Sequence, residues 1–421
     1  MSMGKQTFHE SIRKILFISQ IFALFPISNV CHRNVAQLQY KWMSLPVAYA
    51  TVIMILNVME FGIVIYYTFR TGLSFHSLGT IALYLVCLLE HYYLWRLAKK
   101  WPKLMQQWRQ VEEFFIKIPY RQFMTYNMQF WLWFWYLFIM LCGLTEHCLL
   151  VFNSFQKSDL ERIQCNLNVS YWETLYGRER PHLRMVLPFR FWLLPLFEWL
   201  NLTLAYPRSF TDAFVILVSI GLAARFKQIL LRIKHVKGRP MPSIFWREVR
   251  EHYLVLKKLL RLLNNEMSAL ILISCANNMY FICCQLFNSF TNIGVDWVAE
   301  LAFWFSLVYN IFRTILTLSL AALIDEYTKK IIACLRDVPS RSWCIETQRF
   351  SEQLAVDVTA FSAAGFFSLT RKLILAMAST VVTYELMVSS VINEAAIKQV
   401  TSYCKHYERF EEIGENVQQI S

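Results

Sequence analysis

Eight polar or aromatic side chains lie within the apolar stretches of this sequence and are candidates for binding a small molecule. Ionisable groups are costly in an apolar environment, so where they occur they often mark a binding site or an ion path. Pockets are typically apolar with a few convergent polar groups, which carboxylates, amides and ring hydroxyls supply. The candidates are Glu146, His147, Asp212, Tyr280, Gln285, Glu300, Trp304 and Tyr309, with Asn288 and Asn310 beside them.

A purely structural role is also open for each candidate. Glu146 could pair with Arg313 simply to hold two helices together. A lone histidine inside an apolar helix is often a satisfied helix-to-helix hydrogen bond. The aromatic content of 16% means that many rings belong to the core. The residue types alone therefore leave ligand binding and packing as alternatives.

The stretch from Arg371 to Glu394 carries a second polar group within an apolar run of about one bilayer crossing. Its polar members are Thr380, Thr383, Tyr384 and Glu385. Hydroxyls repeated on one helical face are typical of a helix that lines an aqueous path, and equally of close helix contact. For Glu385 we favour an ion pair or hydrogen bond that holds the helix.

Composition places the chain among helical membrane proteins. Hydrophobic residues make up 56% of the chain and charged residues 17%. In soluble domains about 25% of residues are charged. We find no metal-spaced Cys/His cluster, no phosphate-binding glycine loop and no G-x-S-x-G, so an enzyme is disfavoured and no cofactor is expected. The eleven cysteines are scattered, and a Cys165–Cys404 disulfide stays open.

Seven spans follow from the apolar runs, preceded by a short interfacial or re-entrant helix at about Glu10 to Phe25. The fourth span is expected to be interrupted at Pro195 and Pro207, and the fifth to continue a helix that starts near Phe245 in the aqueous phase. The spans run from about Leu45 to Phe69, Leu73 to Ala98, Gln129 to Phe152, Trp192 to Ile233, Met267 to Phe290, Trp297 to Ile324 and Arg371 to Glu394.

Basic residues orient these spans. Of the 42 lysines and arginines, 30 fall in segments on one side and 10 on the other. Basic residues stay cytoplasmic, so the amino terminus is predicted inside and the carboxyl terminus outside. The sequon at Asn168 then falls in the longest polar loop, Asn153 to Arg190, on the outer side. This orientation disfavours a G-protein-coupled receptor, whose amino terminus is outside.

Several motifs resemble those of insect gustatory receptors, and in particular their sugar-sensing branch. Thr383-Tyr384 opens a match to the family signature TYhhhhhQF, in which Ser390-Val391 replaces the Gln-Phe pair. The similarity covers about residues 14 to 394. The other matching stretches are LAKKWP, REHYLVLKKLL, NNMYFICCQL and PSRSWC.

The resemblance implies a tetrameric ligand-gated cation channel of the insect chemoreceptor fold, with an intracellular amino terminus and an extracellular carboxyl terminus. It implies a sugar as ligand in the outer half of a six-helix bundle, and a plasma-membrane location in gustatory neurons. Other gustatory receptor subunits, in a homo- or heterotetramer, and membrane lipids are the expected partners, and nucleic acid is not expected. The pore residues implied are Thr383, Tyr384, Val388, Ser390 and Val391.

Because Ser390-Val391 replaces the pair that forms the constriction in relatives, an accessory subunit that needs a co-receptor to conduct is the alternative. The predicted division is a cytoplasmic amino-terminal segment, a six-span bundle with cytoplasmic extensions at about 99–128 and 234–266, a cytoplasmic connector, a pore span and an extracellular tail. Their bounds are 1–44, 45–324, 325–370, 371–394 and 395–421.

Overall fold

The computed structural model describes residues 7–124, 127–164, 170–289, 297–356 and 358–395. These form α-helices and one two-stranded hairpin, so the predicted all-α membrane class is confirmed. The helices are α1 (Phe8–Ile21), α2 (Leu45–Thr71), α3 (Phe75–Ile116), α4 (Met128–Gln164), α5 (Tyr171–Glu179), α6 (Pro181–Val186), α7 (Leu194–His235), α8 (Ser243–Ser289), α9 (Trp297–Ala321), α10 (Leu323–Arg336), α11 (Ile345–Val356) and α12 (Arg371–Ala395). The antiparallel hairpin pairs β1 (Ser362–Ala363) with β2 (Phe367–Ser368).

Six of these helices, α2, α3, α4, α7, α8 and α9, are long and apolar enough to cross a membrane. They correspond to the first six predicted spans, and α12 occupies the seventh. Four of them, α3, α4, α7 and α8, are much longer than one crossing needs. At a rise of about 1.5 Å per residue, the 47 residues of α8 extend roughly 70 Å, about twice the thickness of the hydrocarbon layer.

Helix α7 is the centre of the bundle. Every residue from Thr211 to Ala223 is buried, which is the pattern of a helix that is apolar on all sides and enclosed by others. The predicted interruption at Pro207 is wrong, because α7 runs through this residue, and Pro195 lies in its first turn. Proline is tolerated inside a membrane helix where neighbouring helices and hydroxyl side chains satisfy the freed backbone groups.

The amino-terminal helix α1 packs deep against α3 and α7. The Phe8 ring stacks on Trp108 with centroids 4.0 Å apart. The Phe8 ring also approaches Gly221 of α7, where an added Cβ would lie 2.6 Å from the ring. Glycine at this position therefore permits the close approach of α1 to α7.

A buried ion pair fixes the same three helices. Glu112 of α3 pairs with Arg225 of α7, and its two oxygens also accept the Phe8 backbone N–H at 3.1 and 3.0 Å. Arg225 donates in turn to Gln228 at 2.9 Å. The Gln228 amide donates to the carbonyls of Phe115 and Tyr120 at 3.1 Å each. We call Glu112, Arg225 and Gln228 the inner cluster.

The predicted outer loop is more ordered than its composition indicated. Helix α4 continues to Gln164, and α5 and α6 follow, so much of 153–190 is helical. Ser170 caps α5 through its side chain, and Pro181 begins α6, where its missing N–H costs nothing. The sequon residue Asn168, Cys165 and the tail from 396 onward lie outside the described residues.

The connector before α12 anchors it to the long helices. The β1–β2 hairpin is held by Ser362 N–H, which donates to Asn264 of α8 at 2.7 Å. At the start of α12, Arg371 pairs with Glu326 of α10. Helix α12 then packs against α8 and α9.

Candidate functional site

A buried ion pair between α7 and α9 forms the centre of the candidate site. Arg313 Nε lies 2.9 Å from Asp212 Oδ2, and both side chains are about 1% exposed. Asp212 Oδ1 accepts a hydrogen bond from the Ser274 hydroxyl. Asp212 Oδ2 also accepts one from the Asn278 amide at 3.0 Å. The free-energy cost of removing two charges from water is offset only where such additional hydrogen bonds are made. These bonds therefore fix the point at which α7, α8 and α9 meet.

Arg313 distributes its remaining donors over three helices. It donates to Ser209 of α7 at 3.0 Å, and to Asn278 of α8 and Asn310 of α9 at 3.1 Å each. Asn310 donates to Gln285 Oε1 at 3.0 Å. The guanidinium therefore organises amides from α8 and α9 around one charge.

A second carboxylate joins the network from α4. Gln285 donates to Ser306 at 2.6 Å, and Ser306 donates to Glu146. The other oxygen of Glu146 lies 3.3 Å from an Arg208 nitrogen. The ion pair of Glu146 is thus with Arg208, and its connection to Arg313 runs through Ser306, Gln285 and Asn310.

We call this assembly the bundle network. It brings together four of the eight predicted site residues, Glu146, Asp212, Gln285 and Tyr309. Tyr309 donates to the Ile139 carbonyl at 2.9 Å, and its hydroxyl lies 3.5 Å from Ser209. The full membership is Glu146, Arg208, Ser209, Asp212, Ser274, Asn278, Gln285, Ser306, Tyr309, Asn310 and Arg313.

Glu90 of α3 is a further buried carboxyl near the bundle network, and the sequence analysis did not select it. It is fully buried and close enough to Asp212, Arg313 and Arg208 to interact electrostatically with each. Within the described residues, neither of its carboxyl oxygens has a hydrogen-bond partner. Buried polar groups are nearly always bonded, so this carboxyl is an exception that stands beside a charged network.

Other buried polar groups without a hydrogen-bond partner in the described residues lie on α2, α7 and α8. Asn277, which precedes Asn278 on α8, lacks partners for both side-chain polar atoms within the described residues, as does Asn57 of α2. The Thr211 hydroxyl, next to Asp212, is likewise unbonded there. An intramembrane carboxylate such as Glu90 could have been found from the sequence by the same rule that selected Glu146.

The remaining predicted ligand residues lie outside the network. Glu300 and Trp304 point outward from α9, and Trp304 is 56% exposed. His147 is half-buried on α4 beside Glu146. Tyr280 is half-buried on α8, the helix against which α12 packs. A ligand contact of these four residues stays a prediction.

A second buried charge cluster lies under α5 and α6. Arg180 Nη1 is 2.6 Å from Glu60 Oε1, which also accepts from Tyr84 at 2.7 Å, and His182 lies 3.4 Å away. Burial opposes the charged guanidinium, yet Tyr84 and Glu60 hold the pKa of Arg180 above its ordinary value. This cap cluster ties the segment between α4 and α7 to α2 and α3.

Helix α12 presents a largely exposed surface in the single chain. Thr383 is exposed and donates to the Ser379 carbonyl at 2.9 Å, while Tyr384 and Glu385 are half-buried. One oxygen of Glu385 is buried without a hydrogen-bond partner in the described residues. The ion pair or hydrogen bond predicted for Glu385 therefore stays a prediction. Of the other predicted pore residues, Val388, Ser390 and Val391, only the helical backbone is described.

Within the described residues, no group of three or more His, Cys, Asp or Glu is placed to hold a metal ion. The charged residues of the site instead bond one another, amides and hydroxyls. Such a site can exchange hydrogen bonds with a polyhydroxylated ligand, because carboxylates accept and amides both donate and accept.

Comparisons with known proteins agree on the fold and the family. The chain is similar over 90% of its length to the insect olfactory receptor OR5 from Machilis hrabei, solved with and without eugenol. The TM-scores are 0.67 and 0.66 at 12% identity, with 97% of the solved chain covered. This likeness identifies the fold of the chain as that of the insect olfactory receptor OR5.

Relatives in sequence are taste receptors of Drosophila melanogaster. The gustatory receptor for sugar taste 64b is 52% identical over 96% of this chain and 99% of the relative. The gustatory receptor for sugar taste 64a is 31% identical over 90% and 83%, and the gustatory receptor 5a for trehalose is 27% identical over 90% and 84%. The family profile described as Trehalose receptor matches residues 3–404. The chain is therefore a member of the trehalose receptor family, the sugar-sensing branch of the insect gustatory receptors.

Proposed function

We propose that the chain is a subunit of a sugar-gated, non-selective cation channel, in which a sugar bound at the bundle network opens a pore lined by α12. The observation that carries this proposal is Glu90, a fully buried carboxyl without a bonded partner in the described residues, beside the Asp212–Arg313 pair. Relatives named for sugar taste and for trehalose support the ligand class.

Sugar hydroxyls match the chemistry of this site. Each hydroxyl donates one hydrogen bond and accepts others, while a carboxylate accepts and an asparagine amide does both. Glu90 and Asn277 offer free positions of both kinds, and Asp212 supplies a fixed acceptor nearby. The rings of Phe281 and Tyr309, which lie 5.1 Å from the Arg208 and Arg313 guanidinium carbons, are suited to the apolar C–H surface of a sugar ring.

Helix α8 is the element that can carry the signal to the pore helix. It holds Asn277 and Gln285, and it packs against α12. A sugar can shift the gating equilibrium only if it binds the open state more tightly than the closed one. Movement of α8 on ligand binding would make this difference by repacking its contact with α12.

Assembly as a tetramer would cover the exposed side of α12. Its exposed residues include Val382, Leu386 and Met387 as well as the hydroxyls of Thr380 and Thr383. Four copies around an axis, identical or from related subunits, would bury this surface and place the hydroxyls at a pore. We further propose the plasma membrane of gustatory neurons as the location, with the predicted domain division and orientation.

A second function rests on one specific feature, the replacement of the Gln-Phe pair by Ser390-Val391. If that pair is needed to form a working constriction, this chain would bind sugar or support assembly while a co-receptor conducts. Both functions use the same ligand site, so they differ only in the pore.

Recording from cells that express the chain alone, and together with a sugar receptor relative, tests the proposal. Trehalose, sucrose and glucose would be applied, with an osmotically matched non-sugar as control and an epitope after Ser421 to check surface delivery from outside. Sugar-evoked current from the chain alone supports the channel, and current only with the relative supports the accessory subunit. Absence of both current and sugar binding to delivered protein would reject both.

A further inference from the structure

A basic pocket lies at the end of the bundle opposite the cap cluster, between the amino-terminal segment and the turn that joins α3 to α4. Its volume is about 950 Å³, in the range of small-molecule sites. Its charged lining residues come from three separate parts of the chain. They are Glu10, Arg33, Arg109, Glu113, Lys117 and Arg121.

The two acidic residues of this pocket are already engaged. Glu10 forms the capping box of α1, where its Oε2 accepts the Thr7 N–H at 3.3 Å. Glu113 lies 3.9 Å from Arg109, one turn earlier on α3. Arg33, Lys117 and Arg121 have no acidic partner among the residues that the structure describes. The pocket therefore carries unbalanced positive charge.

The backbone that holds these cations is fixed by buried contacts. Tyr120, between Lys117 and Arg121, is fully buried, and its hydroxyl lies 3.0 Å from His252 Nδ1 on α8. Its carbonyl accepts the Gln228 amide of the inner cluster. Cations on a rigid turn repel one another at a fixed separation, and a bound polyanion would relieve this repulsion without a large ordering cost.

The aromatic and basic residues of α3 and its neighbours predict a membrane surface at some distance from the pocket. Lys99 of α3 stands over the Trp42 ring at 4.2 Å, and Trp95 donates to Tyr40 at 2.8 Å, an aromatic and basic belt typical of a bilayer interface. Arg109 is about 15 Å further along the helix axis. Basic residues predict that this side is cytoplasmic. A headgroup held in the bilayer would not reach the pocket.

We propose that this basic pocket binds a soluble, phosphate-bearing polyanion of the cytoplasm, of the size of an inositol polyphosphate. Arginine and lysine side chains at three points around a concave site suit a ring that bears several phosphates, because each guanidinium can make paired hydrogen bonds to a phosphate. The anion would bridge the amino-terminal segment to the α3–α4 turn. This site is independent of the sugar site.

Calorimetric titration of inositol hexakisphosphate into the purified full-length protein tests the proposal, with inorganic pyrophosphate and ATP as comparison anions. The triple variant Arg33→Gln/Lys117→Gln/Arg121→Gln should bind at least about tenfold more weakly, since three charge-assisted contacts are removed. Binding should also weaken as salt is raised. Arg239→Gln, which removes an exposed arginine elsewhere on the predicted cytoplasmic side, is the matched control and should bind like the wild type.

A second measurement, of melting temperature, distinguishes loss of the anion site from misfolding of the triple variant. Its melting temperature without anion should match that of the wild type, while the anion should raise only the wild-type value. No binding of any of the three anions to wild type, or equal loss in Arg239→Gln, would overturn the proposal. Binding to nanodiscs that contain phosphatidylinositol bisphosphate, but not to its free headgroup or to inositol hexakisphosphate, would overturn it in favour of a lipid.

Discussion

The inner cluster and the bundle network are both buried groups of charges and amides, but the bundle network has next to it buried polar side chains without a hydrogen-bond partner in the described residues. In the inner cluster, both oxygens of Glu112 and both polar side-chain atoms of Gln228 are bonded, and one N–H of Arg225 is the exception. Beside the bundle network, Glu90 and Asn277 have no bonded side-chain atoms within the described residues. The hydrogen bonds within both clusters hold helices together, and we propose that Glu90 and Asn277 keep hydrogen-bonding capacity for a ligand.

Breaking the inner cluster should have the largest effect. Glu112→Ala leaves the Arg225 guanidinium buried without its carboxylate and removes the acceptor of the Phe8 N–H. Removing one partner of a buried pair costs about 3–5 kcal/mol of folding free energy. Thermal unfolding of the purified protein measures this loss.

The neighbouring Glu113 is the matched control, because it is exposed and its only ion pair within the described residues is with Arg109 at 3.9 Å. Glu113→Ala should change the unfolding free energy by less than about 1 kcal/mol. Similar melting temperatures for the two alanine variants would contradict a structural role for the inner cluster.

The cap cluster should give an intermediate effect. Arg180→Gln removes the charge facing Glu60, which keeps Tyr84 and His182 as partners, so we expect a loss of about 1.5–3 kcal/mol. Faster proteolysis between α4 and α7 would report it. Arg190→Gln, an exposed position in the same segment, should leave the cleavage rate unchanged. Equal rates for wild type and Arg180→Gln would show that the ion pair does not hold this segment.

At the bundle network the change should appear in ligand binding and not in stability. Glu90→Gln keeps the size of the side chain and breaks no hydrogen bond described for Glu90. Sugar binding should weaken about tenfold, or 1.4 kcal/mol, with little change in melting temperature. Glu352→Gln, at an exposed carboxylate on α11, should bind sugar like the wild type. A loss in Glu352→Gln with none in Glu90→Gln would contradict this assignment.

The smallest effect should be a pH dependence of stability at α1. His9 is buried, with one ring nitrogen 2.9 Å from the His32 carbonyl and the other unbonded within the described residues. Burial lowers its pKa below 6.5. The unfolded chain then binds the proton more readily than the folded one. The contribution of neutral His9 to the unfolding free energy is therefore complete above about pH 6.5 and is lost as the pH falls below that value.

Replacing His9 by glutamine should flatten this dependence. Melting temperatures of wild type and His9→Gln would be compared between pH 7.5 and 5, with the exposed His32→Gln as control. An unchanged slope in His9→Gln, or an equal change in His32→Gln, would assign the acid sensitivity to other groups.

The sequence predicted the fold well where one physical rule dominates. Apolar run length located α2 and α9 within a few residues, and the long helical pattern after Pro240 correctly predicted α8. Pro207 was misjudged because local propensity favours a break, while enclosure by neighbouring helices overrides it. The short helices α5 and α6 were missed because segments of this length show little periodicity.

The candidate site was predicted in part. Charge inside an apolar stretch selected Asp212 and Glu146, but it could not reveal that Arg313 pairs with one and Arg208 with the other. Such pairings depend on which helix faces meet, and this is set by tertiary packing. The same limit applies to Glu90, whose lack of a bonded partner is visible only in three dimensions.

A structure of the full-length protein determined with saturating trehalose would test the ligand assignment most directly. We expect sugar density within hydrogen-bond distance of the Glu90 carboxyl, with Asn277 or Asp212 as a further contact. Sugar density seated elsewhere, with Glu90 still unbonded, would contradict the assignment.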